Sequence, residues 1–451
     1  MTGNRRLSDL SVEARKQLLE DFVGRQLSSD PKGLNATPER QHAIPESARN
    51  FSKFALYEQI QLQAKVADGL GLRSPFFHRH DGLAADETSI GGRTLHNFSS
   101  YNYLGLNGDP RVHDAAKEAI DRYGISASAS RIVSGERPIH GELERQLATL
   151  HGVERALVFV SGYATNLAVL GTLFGPSDLI VCDRLSHNSI LQGIKLSGAT
   201  KRQFDHNSMR DLARILEAER QKFEKVLIVT EGLFSMDGDV CPLPELVEIK
   251  RRFGCLLMVD EAHSIGVLGK TGRGVHEHHK VPPMDVDIWM GTLSKTLSGC
   301  GGYIAGSHAL IEMLRYFAGP FVYSVGMPLP VAAACLKSLE IMLEEPERVA
   351  QLHANGAYFL RAAKAEGLRT GRSEGHAITP VIVGGSADAV RMSMLLDEVN
   401  VNVQPIIYPA VEEKSARLRF FLSSCHTQAQ MDKTVSLVRS CLNDVTSKGN
   451  V

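Results

Sequence analysis

The chain has 451 residues, with 50 Lys+Arg against 51 Asp+Glu for a formal charge of −1; 43% of its residues are hydrophobic and 22% charged. At roughly 150 residues per domain this is about three units rather than one small module, and the apolar content excludes wholesale disorder. So even a charge balance offers no global field to hold a nucleic-acid backbone or an anionic membrane surface.

Residues 8–27 (SDLSVEARKQLLEDFVGRQL) open on a Ser/Asp cap and set Leu10, Ala14, Leu18, Leu19, Phe22 and Val23 on one stripe, which predicts a short amphipathic helix. Residues 28–48 hold three prolines among many polar residues and read as a linker, so the helix is either a tethered docking element or a surface helix. After a segment over 49–98, apolar runs alternate with helical stretches from 99 to 330: ALVFV (156–160), LIVCD (179–183), KVLIVTEG (225–232), CLLMVDEA (255–262) and DIWMG (287–291). Unbroken apolar strands between helices predict an α/β domain whose mostly parallel sheet is sandwiched by helices. Residues 331–451 carry a helix (AAACLKSLEIML), strands near TPVIVGG and RLRFFLS, and a last helix, and read as a smaller α/β domain.

The seven cysteines (Cys182, Cys241, Cys255, Cys300, Cys335, Cys425, Cys441) are odd in number, with no CxxC pair, which implies a reducing compartment. The start, MTGNRRLSDL, lacks an apolar region behind its arginines, and no run reaches about 18 uncharged apolar residues; a cytoplasmic protein without a membrane span is expected.

Two motifs mislead. Asp260-Glu261-Ala262-His263 spells a helicase box, but the phosphate loop that must precede it is missing: Gly269-Lys270-Thr271 lies downstream, with Ser264 where the first glycine should stand. His276-Glu277-His278-His279 resembles a metal cluster, yet its place in a polar segment between Gly274 and Pro282 predicts a solvated loop.

The informative pattern is a set of strand ends, the place where ligands bind in open α/β sheets. Asp260 closes one apolar run and His263 follows it; Ser235 follows another, and Lys295 lies beyond DIWMGTLS. Singly these are caps or surface residues; together they supply an acid, a base, an amine and a hydroxyl to one crevice.

From about 98 to 440 the chain closely resembles the α-oxoamine synthases, pyridoxal-phosphate (PLP) enzymes of the aspartate-aminotransferase fold type I. The resemblance rests on NFSSYNYLGLNGDP (97–110), SRIVSGERPIHGELE (130–144), VSGYATNLAVL (160–170), DRLSHNSI (183–190), TEGLFSMDGD (230–239), VDEAHSIGVLGKTGRG (259–274), GTLSKTLSGCGGY (291–303) and ARLRFFLS (416–423). It implies that Lys295 holds the cofactor through its amine and then moves the substrate proton, and that Asp260 keeps the pyridine nitrogen protonated. His263, helped by Ser235, would bond the phenolic oxygen, and His187 would stack on the ring. Gly162 and Tyr163, in a turn behind Ser161, would receive the phosphate together with the Thr292 hydroxyl. In relatives a second subunit also reaches that phosphate. Of the matching Tyr323-Ser324-Val325-Gly326-Met327 only Ser324 could do so here, and a homodimer is implied.

Arg419 matches the arginine that grips the amino-acid carboxylate, whereas Arg417, two residues away, is expected on the opposite strand face in a structural role. Asn102 matches a residue near the substrate. Ser130 stands where glycine-specific relatives often carry Thr, and so favours alanine or serine over glycine. The implied reaction is a decarboxylative Claisen-type condensation of a small L-amino acid with an acyl thioester, giving an α-amino ketone, CO2 and a free thiol. The N-terminal segment resembles docking regions of polyketide and fatty-acid megasynthases, which points to an acyl-carrier-protein donor. The alternatives are a serine-palmitoyltransferase-like enzyme restricted to acyl-coenzyme A, an aminotransferase, or a non-enzymatic scaffold subunit.

Overall fold

The computed structural model describes residues 44–448. The expected helix over 8–27 and the linker up to residue 43 lie outside the described residues. The chain divides into two compact units, Met1–Phe76 and Phe77–Val451. In the first, short 3-10 turns at Glu46–Ala48 and Phe51–Lys53 lead into a helix, Ala55–Gly69, that buries none of its side chains.

The second unit opens on β1 (His80–Asp81), β2 (Glu87–Ile90) and β3 (Arg93–Asn97). Its main body follows as β4 (Arg155–Phe159), β5 (Leu179–Asp183), β6 (Thr200–Phe204), β7 (Val226–Glu231), β8 (Leu256–Asp260), β9 (Ile288–Thr292) and β10 (Gly302–Gly306). These seven form one sheet in the order β4-β10-β9-β8-β7-β5-β6. Every pair is parallel except those of β10, which runs antiparallel to both neighbours, so β4 and β9 still point the same way.

All residues of β5 and β7 are buried, as expected of strands covered on both faces. Alternate residues feed two cores. Val181, Ile228, Val259 and Trp289 pack with Leu143, Leu147, Leu212 and Leu246 from the helices Pro138–His151, Met209–Glu219 and Leu243–Phe253. Ile180, Leu227, Met258 and Met290 pack with Val169, Ile190 and Leu310 from Gly162–Leu173, Asn188–Ser197 and His308–Phe317. This period-2 division is what puts helices on both sides of the sheet.

The C-terminal part holds β11 (Ile378–Gly384), β12 (Val401–Asn402), β13 (Pro405–Ile406), β14 (Ala416–Phe421) and the last helix, Gln428–Lys448. β11, β14 and β13 form a small antiparallel sheet, and β12 pairs with β3. The residues near 80–97 therefore share a sheet with the C-terminal part rather than forming a separate segment. The expected boundary at residue 330 falls inside the helix Leu329–Glu344, whose main packing is on the helices Pro110–Tyr123 and Pro138–His151 next to the large sheet. His276–His279 is not a solvated loop: it lies in the short helix Val275–His279, with His276 buried and the His279 ring bonded to the Cys241 carbonyl (2.9 Å). Among the described residues no helix is long and apolar enough to cross a membrane.

Candidate active site

The C-terminal ends of β4, β5, β7, β8 and β9 lie along one edge of the large sheet, and the segments after them line a cavity of about 210 Å³. Parallel strands with helices behind them leave such a crevice because each chain segment turns away from the sheet there. Ser161, Gly162, Tyr163, Asn166, His187, Glu231, Asp260, His263, Thr292, Ser294 and Lys295 all reach it.

Asp260 is the last residue of β8 and only 4% exposed. Its Oδ2 accepts from the Asn166 amide (2.9 Å) and its Oδ1 from the Ala262 N–H (2.9 Å). No Lys, Arg or His of the described residues forms an ion pair with it, so a buried carboxylate stands ready for a cation. Glu231, its register partner at the end of β7, accepts a 2.6 Å hydrogen bond from the His187 backbone N–H. Burial, and then the Asp260 charge, push the Glu231 carboxyl up to about 8, so it keeps its proton near neutrality.

Lys295 lies three residues past β9, with its ammonium 5.6 Å from the Tyr101 ring centroid. Burial pulls its pKa down to about 8; Asp260 opposes this most, Glu231 adds to the opposition only once it ionises, and the Arg419 charge lowers the value further. An amine so placed is partly free at neutral pH and can condense with an aldehyde.

His263 follows the β8 turn. Its Nδ1 shares a 2.8 Å hydrogen bond with the Tyr103 hydroxyl, and its ring stacks on Phe421 at 6.2 Å and 7°. Burial, with the nearby Lys295 and Arg419 charges, holds its pKa well below the usual value, so the ring is neutral. Its Nε2 has no partner among the described residues. His187 caps the helix Asn188–Ser197, with Nδ1 2.7 Å from the Ser189 hydroxyl. Burial, Lys295 and Arg419 lower its pKa against the pull of Asp260. Tyr163 donates to Asn188 Oδ1 (2.8 Å) and meets the His187 ring edge-on.

At the opposite end, the helix Gly162–Leu173 starts behind Ser161, whose hydroxyl caps the Ala164 N–H. The first N–H groups of this helix offer an anion cradle at the cavity, and beside it the Thr292 and Ser294 hydroxyls both donate to the Gly301 carbonyl (3.0 and 3.3 Å). Gly162 is required there: a Cβ would stand 2.8 Å from Thr292 Oγ1.

Arg419, on β14, donates to the Ser235 carbonyl (3.1 Å) and the Met236 sulfur, and its guanidinium sits 4.6 Å over the Phe421 ring. Its Nε is buried without a partner, and no carboxylate of the described residues pairs with it. Arg417 instead ion-pairs with Asp237 at 2.8 Å. The two arginines lie on the same face of β14, not opposite faces, because strand alternation returns every second residue to one side; both reach the segment Ser235–Asp237.

Five expected residues stay outside the cavity lining, Arg419 among them. Ser235 is buried and offers its carbonyl to Arg419, and the hydrogen-bond partner of His263 is Tyr103. Asn102 uses its amide to fix the chain, donating to the Ala84 carbonyl and accepting from the Asn107 N–H. Ser130 pairs by backbone with Val325, and Ser324, next to it, is half-buried. Sequence reasoning missed Tyr103, Asn166, Glu231 and Ser294. Glu231 was within reach as the acid closing VLIVTE; Asn166 and Tyr103 are joined to the site only by the fold.

A buried unpaired carboxylate, an amine of lowered pKa, a neutral histidine over the crevice and an anion cradle at a helix start match the ring nitrogen, aldehyde, ring face and phosphate of PLP. The fold and site together are those of a fold-type I PLP enzyme.

Residues 93–438 match the family model described as aminotransferase class I and II. The 8-amino-7-oxononanoate synthase of Symbiobacterium thermophilum is 44% identical over 347 residues, 77% of this chain and 88% of that protein. The serine palmitoyltransferase structure from Sphingomonas wittichii superposes with a TM-score of 0.82 at 31% identity, covering 87% of this chain and 98% of that one. A further serine palmitoyltransferase structure, solved with PLP, gives 0.83 at 30% identity over 88% and 98%. The chain therefore belongs to the aminotransferase class I and II family and, within it, to the α-oxoamine synthases, PLP-dependent acyltransferases.

Proposed function

We propose that this enzyme condenses L-alanine or L-serine with an acyl thioester: the α-carbon bonds to the acyl carbon, the carboxylate leaves as CO2 and the thiol is released. The observation that carries the reading is Arg419, a guanidinium without a carboxylate partner, close enough to Lys295, His187 and His263 to lower the pKa of each. It would grip a substrate carboxylate beside the reactive amine.

Bound PLP supplies an aldehyde that captures amines and a cationic ring that draws electron density from the α-carbon. Asp260 would hold that positive charge from the end of β8. Lys295 Nζ would hold the cofactor and take the α-proton, which its lowered pKa permits. His187 would lie against the ring, and His263 Nε2, left open by the Tyr103 bond, would bond a ring or acyl oxygen. Ser161, Gly162, Tyr163, Thr292 and Ser294 would hold the phosphate.

The choice of amino acid is supported by the names of the relatives. The product 8-amino-7-oxononanoate bears its amine on a carbon that carries one methyl group, as alanine does, and serine palmitoyltransferase is named for serine. The acyl group arrives on a carrier protein. Turnover of one acyl group on a carrier protein and on coenzyme A tests this; equal rates, unchanged by deleting residues 1–45, would remove it. The enzyme acts as a homodimer in the cytoplasm. Ile125, Val133, Tyr323 and Val325 are exposed near the Ser130–Val325 bridge, and all seven cysteines are free. Light scattering should give twice the chain mass, and Val325→Asp should halve it. A panel of amino acids against acyl thioesters, with mass detection of the ketone, tests the reaction; no ketone from alanine or serine with any thioester would refute it.

A further inference from the structure

Outside the cavity lies a buried polar cluster that the reaction does not use directly. Asp183 ends β5, His206 follows β6, and Asp239 lies in the loop after β7; their exposures are 0%, 8% and 5%. His206 Nδ1 is 3.0 Å from Asp183 Oδ1, and His206 Nε2 is 2.7 Å from Asp239 Oδ2. A carboxylate only accepts, so both ring nitrogens must donate, and the ring is an imidazolium.

The two carboxylates fix two stretches of the site. Asp183 also accepts from the Leu185 N–H (2.8 Å) and the Asn207 N–H (2.9 Å), setting the turn that leads into His187. Asp239 belongs to a loop closed by the Leu233–Val240 bridge and by the Phe234 N–H bond to the Asp239 carbonyl (3.0 Å). Phe234 meets the His206 ring edge-on at 4.5 Å, and the next two residues, Ser235 and Met236, are the ones that hold Arg419 Nη1. Gly238 lets the loop lie close to the small sheet: its φ is +73° and a Cβ would fall 2.2 Å from the Ile378 carbonyl oxygen.

We propose that His206, bridging Asp183 and Asp239, is a positioning residue that sets the Arg419 guanidinium and the His187 turn against Lys295. It rests on the reading of Arg419 as the carboxylate grip. The charge state is self-consistent: burial pulls the His206 pKa down, but the two carboxylates outweigh it and raise it to about 9. The other groups around the ring, Asn207 and Phe234, do not titrate, and the adjacent Asp205 is exposed and paired with Arg184 (3.0 Å).

The test compares wild type, Asp239→Asn and His206→Gln as PLP-loaded enzymes. The amino-acid dissociation constant, read from cofactor absorbance, and the amino-acid KM are followed from pH 6 to 10. In wild type both rise as pH passes through about 9 and His206 loses its proton. Asp239→Asn keeps a hydrogen-bond acceptor but removes one charge, so the rise moves down by about one to two pH units. His206→Gln raises the amino-acid KM about tenfold at pH 7 with kcat within about threefold and the thioester KM unchanged, a split that general loss of structure does not produce. Superimposable wild-type and Asp239→Asn profiles, with equal melting temperatures, would overturn the proposal. Arg419→Gln separates the two claims: if it leaves the amino-acid KM unchanged, the carboxylate grip fails and this inference with it. If it raises KM while Asp239→Asn shifts nothing, only the role of His206 fails.

Discussion

Replacing Asp260 by Asn removes one charge from the crevice and should move Lys295 and the cofactor in opposite senses. In the wild-type apoenzyme Lys295 titrates near pH 8, so about one amine in ten is free at pH 7, against roughly one in three thousand for an ordinary lysine. Asp260 is the largest influence that holds this amine protonated. A neighbouring anion favours the ammonium, so its loss lowers the pKa further; a shift of about one unit would free roughly half of the amine at pH 7. The rate at which apoenzyme condenses with pyridoxal, read by absorbance from pH 5.5 to 9.5, reports this midpoint. The Asn variant should show a midpoint about one unit lower and faster condensation at pH 7. Its steady-state affinity for PLP and its kcat should both fall, because the pyridine nitrogen loses its counter-charge. A midpoint that is unchanged or raised would refute the electrostatic account of Lys295.

Gly162→Ala places a methyl group 2.8 Å from Thr292 Oγ1 at the anion cradle and should weaken PLP binding about tenfold by equilibrium dialysis, with little change in melting temperature. Leu227→Ala, near the start of β7 and fully buried, should cost about 2–5 kcal/mol in denaturant unfolding while leaving the active-site titrations in place. Because the folded pKa of His206 lies above its unfolded value of about 6.5, its contribution to stability is complete below that pH and is lost as pH rises through about 9. Melting temperatures should decline across that window in wild type and much less in His206→Gln.

Five strands of the large sheet were legible because each is a short apolar run between helices, and burial on both faces demands that pattern. Two were not. TKRQF is an edge strand whose middle residues face water, and GYIAG carries glycine where helix Gly162–Leu173 presses on the sheet, a Cβ on Gly302 standing 2.5 Å from Thr165 Oγ1. In the site, Lys295, Asp260, His263 and His187 stand at strand ends and come together at one cavity. Their partners are set by packing between distant segments: Tyr103 meets His263 across 160 positions, and Asn166 meets Asp260 across 94. No local pattern marks those pairs. Asn102 shows the converse, a polar residue in a motif block whose amide is taken up by its own backbone neighbourhood.

The central claim is that the crevice couples loss of the amino-acid carboxylate to capture of an acyl group. The direct measurement is release of labelled CO2 from carboxyl-labelled alanine and serine, with and without acyl thioester. Release that requires the thioester and matches the α-amino ketone formed mole for mole is the predicted result, and it should vanish in Lys295→Ala. Release without thioester, or transfer of the amino group to a keto acid with the carboxylate retained, would contradict it.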